Sequence, residues 1–194
     1  MDTTRPSLLL RIRDPSDGAA WRTFDAIYRP MLCRFARARG LTHEDAEDVA
    51  QQCLGAIADK IAEFDYDPGK GRFKGWLRTL VNNRVRNLLR ARQAKPTAGG
   101  DAVQQADTQP DAASPDEIFE QLWLQEHLWH CLRELRTEVE EKTYQAYEAY
   151  VIDERPLSRV CEEFGLTPNN VYTLKWRLTQ RVAAKMKELL DGLD

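Results

Sequence analysis

The chain has 194 residues, 42% of them hydrophobic and 30% charged, with a net charge of -3 and a mean hydropathy of -0.59. That length suggests one or two domains with real cores, and no apolar stretch approaches the roughly 20 residues of a membrane span, so membrane insertion is not expected. The charge is unevenly placed: residues 1–95 carry +6, residues 96–115 carry -3 and residues 116–194 carry -6.

Ser16 can cap a helix carrying Trp21, Phe24, Ile27, Tyr28, Met31, Leu32 and Phe35, with a kink at Pro30 and a stop at Gly40. Thr42 with Asp45 three residues on reads as a capping-box start. Ala46, Val49, Ala50, Cys53, Leu54, Ile57 and Ile61 then form one apolar stripe over residues 44–61. A loop at 65–72 leads into a basic helix over about residues 73–92, whose stripe is Phe73, Leu77, Leu80, Val81 and Leu88; Arg84 falls on that stripe. From 94 to 115 the chain is Ala, Gly, Gln, Asp, Thr and Pro with one larger apolar residue, Val103, and reads as a flexible linker. After it, Ser114-Pro115-Asp116-Glu117 opens a helix with Ile118, Leu122, Leu128, Leu132 and Leu135, and another follows over 138–151. No alternating strand pattern is present. The fold class expected is therefore all-α: a helical domain over 1–93, a linker over 94–115 and a second helical domain over 116–194.

The last helices carry the clearest supersecondary signal. Leu157, Val160, Cys161 and Phe164 make one apolar face of a short helix, Gly165 can take a left-handed turn, Thr167 is an N-cap and Pro168 the first helical residue. Val171, Leu174, Leu178 and Val182 form the buried face of the next helix, giving a helix-turn-helix. Its opposite face presents Asn169, Tyr172, Thr173, Trp176, Arg177 and Gln180, with Arg181 beyond; amides, a hydroxyl, rings and an Arg suit base edges in a DNA major groove.

A second nucleic-acid signal lies in the first domain. Between Asp67 and Asp101 there are nine Lys/Arg and no acid, interleaved with Phe73, Trp76 and three Asn. Lys70, Arg72, Lys74, Arg78, Asn82, Asn83, Arg86 and Arg90 are the groups suited to a backbone and unstacked bases. Trp76 reads as a core residue at the edge of the stripe.

Taken together, the two domains resemble a bacterial extracytoplasmic-function (ECF) sigma factor of the sigma-70 superfamily. Asp45-Ala46-Glu47-Asp48-Val49-Ala50-Gln51-Gln52 is similar to the family's DAEDxxQ segment, and Phe73-Lys74-Gly75-Trp76-Leu77-Arg78-Thr79-Leu80 resembles its FRxWLxxI segment, with Asn83 where the family places an Asn. The opening residues 4–15 look like a variant found in planctomycete-like members. The resemblance implies that 1–93 acts as a region 2-like domain and 116–194 as a region 4-like domain. It implies docking of Asp45, Asp48, Gln51 and Gln52 on the β′ clamp helices of RNA polymerase core, and contact of the second domain with the β flap. It further implies minus-ten recognition as a single strand by the loop and basic helix, and minus-thirty-five recognition as a duplex by the last helix. An anti-sigma factor is a partner the family implies. Asn87 replaces an Asp common in the family, and the recognition helix lacks the common Arg-rich pattern, so no promoter sequence is implied.

Catalysis is not expected. Pro68-Gly69-Lys70-Gly71 lacks the spacing and hydroxyl of a phosphate-binding loop, and no nucleophile–base arrangement is visible. His127, His130 and Cys131 are close in sequence, but no second ligand cluster completes a site, so no metal or cofactor is expected. The opening has no signal-peptide apolar region, and the four cysteines, Cys33, Cys53, Cys131 and Cys161, form no CxxC pair; a cytoplasmic location follows. The competing reading is a two-domain helix-turn-helix transcription regulator that binds DNA without binding core polymerase.

Overall fold

The computed structural model describes residues 8–62, 73–94 and 113–190, and all regular structure among them is helical. The elements are α1 (Leu8–Arg11), α2 (Gly18–Ala38), α3 (His43–Lys60), α4 (Phe73–Ala94), α5 (Pro115–Glu138), α6 (Glu141–Tyr147), a π-helical turn (Glu148–Ile152), α7 (Leu157–Phe164) and α8 (Pro168–Leu190). No helix among the described residues is long and apolar enough to cross a membrane. The chain divides into two compact units, 1–126 with 191–194, and 127–190.

In the first unit, the cap of α2 is Asp17 and not Ser16: an Asp17 carboxylate oxygen accepts from the Ala20 N–H at 2.9 Å, while Ser16 donates its hydroxyl to Asp14 at 2.7 Å. α2 runs through Pro30 as one helix and ends where Gly40 takes φ +88°. The Leu41 N–H then donates back to the Ala36 carbonyl at 3.2 Å and Leu41 is buried, the geometry of a glycine-terminated helix end. α3 starts as its sequence dictates: the Thr42 hydroxyl accepts from the Asp45 N–H at 3.3 Å and donates to its carboxylate at 2.6 Å. Its apolar stripe faces inward, with Ala46, Val49, Ala50, Cys53 and Ile57 buried. Burial pushes the thiols of Cys33 and Cys53 up to about 12, so at neutral pH both are protonated apolar fillers.

The seam of α4 repeats every four residues: Phe73, Leu77, Val81 and Val85 are buried, while Leu80 and Leu88 sit at its margins. That drift resolves the position of Arg84, which is exposed and reaches Gln52 of α3 at 3.5 Å.

α5 begins at Ser114-Pro115, as expected, and closes its start with a capping box. The Glu117 N–H donates to the Ser114 hydroxyl at 3.2 Å and the Ser114 N–H to the Glu117 carboxylate at 2.7 Å, with Pro115 at the first position. Its buried face differs from the aliphatic stripe read in the sequence. Phe119 and Trp123 are fully buried, whereas Ile118 and Leu122 are partly covered and Leu128 is exposed. The two rings complete an aromatic cluster of the first unit, with Trp123 5.7 Å from Tyr28 and 6.4 Å from Phe73, and Phe119 5.9 Å from Phe35. Wide flat rings bury more area than the aliphatic alternatives one position away, so they set the rotation of the helix. The two compact units meet between Glu126 and His127, inside α5; the linker expected over 94–115 lies largely outside the described residues.

In the second unit Cys131, Leu132 and Leu135 of α5, Tyr144 and Tyr147 of α6, and Leu174, Leu178 and Val182 of α8 form one cluster. Ala146, Ala149, Val160, Phe164 and Val171 form another under α7. The helix expected over 138–151 is α6 followed by the π-helical turn, which the Asp153 N–H closes by donating to the Glu148 carbonyl at 2.9 Å. Gly165 at φ +67° ends α7 and lets the Leu166 N–H reach the Cys161 carbonyl at 3.0 Å. The Asn170 N–H then donates to the Thr167 hydroxyl at 3.2 Å and fixes the start of α8. A helix, a three-residue turn and a longer helix result.

Candidate nucleic-acid interface

In the first unit, one side of α4 carries Arg78, Asn82, Asn83, Arg86 and Arg90. With Arg39 from the end of α2 and Asp116 from the start of α5 they line a groove of about 790 Å³. Period 3.6 places residues 78, 82, 86 and 90 in one row, so an extended strand laid along α4 would meet a cation or an amide at every turn. Among the described residues no carboxylate lies within ion-pair distance of Arg39, Arg86 or Arg90. Arg39 was not singled out from the sequence. Its Nε is buried without a hydrogen-bond partner among the described residues, and its place in the groove follows from the end of α2 at Gly40.

The N-terminal cations of α4 are differently placed. Lys74 pairs with Glu120 at 2.8 Å and lies 5.5 Å over the Trp123 ring. Arg78 is 3.7 Å from Asp116 and 3.8 Å from Glu120. Both contribute charge already partly neutralised by α5. Trp76 is partly buried beside Phe73, with ring centroids 5.8 Å apart. Lys70 and Arg72, and the 65–72 loop that holds them, lie outside the described residues.

The outer face of α3 holds Asp48, Gln51 and Gln52, all exposed. Asp45 is different: it is tied into the Thr42 cap and forms an ion pair with Arg92 from the far end of α4. It therefore braces two helices and is only partly available to an outside partner.

In the second unit, Asn169, Tyr172, Thr173, Trp176, Arg177 and Gln180 all project from α8 and are exposed. The opposite residues Val171, Leu174, Leu178 and Val182 are buried. Arg181 stands apart from this set: it donates to Glu138 of α5 at 2.7 Å, and Lys185 does so at 2.6 Å. These bonds hold the Glu138 carboxyl below the usual glutamate range, Lys185 contributing most. The surface left for a ligand is the N-terminal half of α8, the half through which a recognition helix meets base edges.

Residues 26–95 match the family model for sigma-70 region 2, a span that runs from within α2 to the end of α4 and includes the groove's Arg39 and its α4 lining. A curated relative, the ECF RNA polymerase sigma factor RpoE of Cereibacter sphaeroides, is 28% identical over 113 residues, or 58% of this chain. The chain spans 60% of the length of that relative. Residues 26–95, from within α2 through α3 to the end of α4, are thus similar to a sigma-70 region 2 domain, and over 58% of its length the chain is similar to an ECF sigma factor.

Proposed function

We propose that this chain is a cytoplasmic, non-catalytic specificity subunit that binds RNA polymerase core and directs promoter recognition and transcription initiation. The observation that carries this reading is the coincidence of the region 2 match with two chemically distinct faces of one helical unit. One is the carboxylate and amide face of α3, at Asp48, Gln51 and Gln52. The other is the groove of Arg39, Asn82, Asn83, Arg86 and Arg90. The first face suits the cationic clamp helices of the β′ subunit, with Asp45 contributing chiefly by fixing the start of α3. The groove suits the unwound minus-ten strand, because a concave row of cations and amides can follow a backbone and hydrogen-bond bases that have left the stack. The projecting half of α8 suits the minus-thirty-five element, which stays paired and is read through its major groove, and the rest of the second unit is the natural contact for the β flap. An anti-sigma factor covering either face is the regulator this reading implies.

Run-off transcription with purified core polymerase, on DNA from upstream of the chain's own operon, tests the proposal. The expected result is a discrete transcript that requires both core and this chain. Sequence-specific duplex binding with no affinity for core would replace the proposal with the regulator that works without polymerase docking.

A further inference from the structure

Two groups on α8 remain unexplained by polar recognition. Tyr172 is 51% exposed and Trp176 is 68% exposed, the latter the most exposed large hydrophobic residue among the described residues. They stand four residues apart, so their rings are neighbours on the projecting face. Around them are Asn169, Thr173, Arg177 and Gln180, and from Pro168 to Lys187 the helix has no acidic residue, although residues 127–190 as a whole hold ten Asp/Glu. A face of rings, amides and cations without a carboxylate is complementary to a polyanion and not to the general run of protein surfaces.

One of the two rings, Tyr172, is also held from below. The π-helical turn carries Tyr150, which is partly buried on the Ala146–Val160–Phe164–Val171 cluster. Tyr150 meets Tyr172 edge to face, with centroids 6.2 Å apart and planes at 66°. The Lys175 ammonium lies 5.4 Å over the same Tyr150 ring. A π-turn inserts one residue into a helix and re-aims its side chain; here it sets one ring against two residues of the projecting half of α8.

In the major groove of a duplex, the base edges offer donors, acceptors and one apolar group, the C5-methyl of thymine. Residues four apart advance about 6 Å along a helix, against about 3.4 Å per base step. Two rings so spaced can therefore meet methyl groups on adjacent or next-adjacent steps.

We propose that Tyr172 and Trp176 form a methyl-reading strip that selects a duplex with thymine at two neighbouring steps, and that Tyr150 is the positioning residue for that strip. This rests on α8 being a duplex-reading helix and adds the chemistry that sets part of its sequence preference.

The test is selection of bound sequences from a randomised duplex library by the full chain, with and without core polymerase, followed by replacement of each selected thymine by deoxyuridine, which removes only the methyl. The expected outcome is thymine at two positions within three steps, and about a fourfold loss of affinity on each replacement, the worth of one buried methyl. Trp176→Ala and Tyr172→Ala should each bring the thymine-to-uracil ratio to about one at a single position. Tyr150→Leu should lower the ratio at the position read by Tyr172, and Tyr150→Phe should keep it. Equal affinity for thymine and uracil duplexes at every position overturns the proposal while leaving duplex recognition standing. Loss of core binding by Trp176→Ala with the ratio unchanged would reassign the strip to a protein contact. If no duplex is selected in either arm, this proposal and the minus-thirty-five reading fall together.

Discussion

Helices α4 and α8 are nearly equal in length, at 22 and 23 residues, and both are rich in Lys and Arg, yet they use their cations in opposite order. In α4 the first cations, Lys74 and Arg78, are paired with Glu120 and Asp116, and the groove opens beyond them at Arg86 and Arg90. In α8 the later cations, Arg181 and Lys185, are paired with Glu138, and the helix is open before them at Arg177. The carboxylates come from α5 in both cases, its first half serving the first unit and its second half the second. A basic helix is therefore not uniformly a binding surface: the acidic neighbour divides it into a bracing half and a presenting half. The presenting parts differ in shape as well as in position, a groove along α4 and a projecting face on α8, which suit an extended strand and the groove of a duplex respectively.

The largest expected effect bears on whether the first half of α5 is an integral part of the first unit. Trp123→Ala removes a fully buried ring from the cluster of Tyr28, Phe73 and Phe119, and should cost that unit about 3–5 kcal/mol. Urea unfolding followed by hydrogen exchange would show the loss in α2 to α4; a loss confined to the second unit would undo the assignment. Next in size is Arg177→Ala, expected to weaken duplex recognition by about 1–3 kcal/mol if the guanidinium meets a base edge. A uniform loss on all sequences would make it a phosphate contact.

Charge reversal on α3 separates docking from bracing. Asp48→Arg should lower core-polymerase affinity by roughly tenfold with helicity and stability unchanged, as expected for a rim charge in an interface. Asp45→Arg should lower both, because it also removes the carboxylate that accepts from the Thr42 hydroxyl and pairs with Arg92, a stability loss of about 1 kcal/mol. Equal stabilities of the two variants would contradict the bracing role. A smaller effect is expected in the groove. Arg86→Gln should reduce the slope of log affinity against log salt for single-stranded DNA by about 0.7. Arg78→Gln should change it less, since Asp116 and Glu120 already offset that charge. The reverse ranking would mean that α5 does not neutralise Arg78 in solution.

The elements that the sequence revealed are those where local chemistry and packing agree. The Thr42 and Thr167 hydroxyls start α3 and α8 by accepting a backbone N–H within the first turn, and Gly40 ends α2 because glycine takes a positive φ without strain. The exposed set on α8 followed from period alone, since its buried face is a regular run of Val and Leu. What stayed hidden depended on partners distant in the chain. Phe119 and Trp123 are as apolar as Ile118, Leu122 and Leu128, and only the ring cluster of α2 and α4 decides which set turns inward. Arg39 joins the groove through the way α2 ends beside α4. Arg181 looked equivalent to Arg177 on a helical wheel and differs because Glu138 stands opposite it. The π-helical turn has no local signature in Glu148-Ala149-Tyr150-Val151-Ile152; it follows from packing on α7 and α8.

The smallest effect distinguishes the units by pH. Burial beside α8 pushes the His130 imidazole below its ordinary value, with Glu134 opposing that shift and Arg133 and Lys185 adding to it. The folded state thus binds this proton less readily than the unfolded chain. Stability contributed by neutral His130 is present above the ordinary histidine value and is lost as pH falls through it. The carboxylates Glu138 and Glu141, held low by Lys185 and Arg136 respectively, act in the same direction at more acid pH. Asp14, Asp17 and Glu117 do so for the first unit. As pH falls below the ordinary histidine value of about 6.5, the second unit should therefore loosen first, read as faster amide exchange in α6 and α8 with α2 and α3 unchanged. His130→Gln should flatten that dependence while leaving the more acid transition in place. If the variant keeps the same slope, protonation at His130 is not what separates the two units, and their difference in acid response must come from the carboxylate pairs that both share.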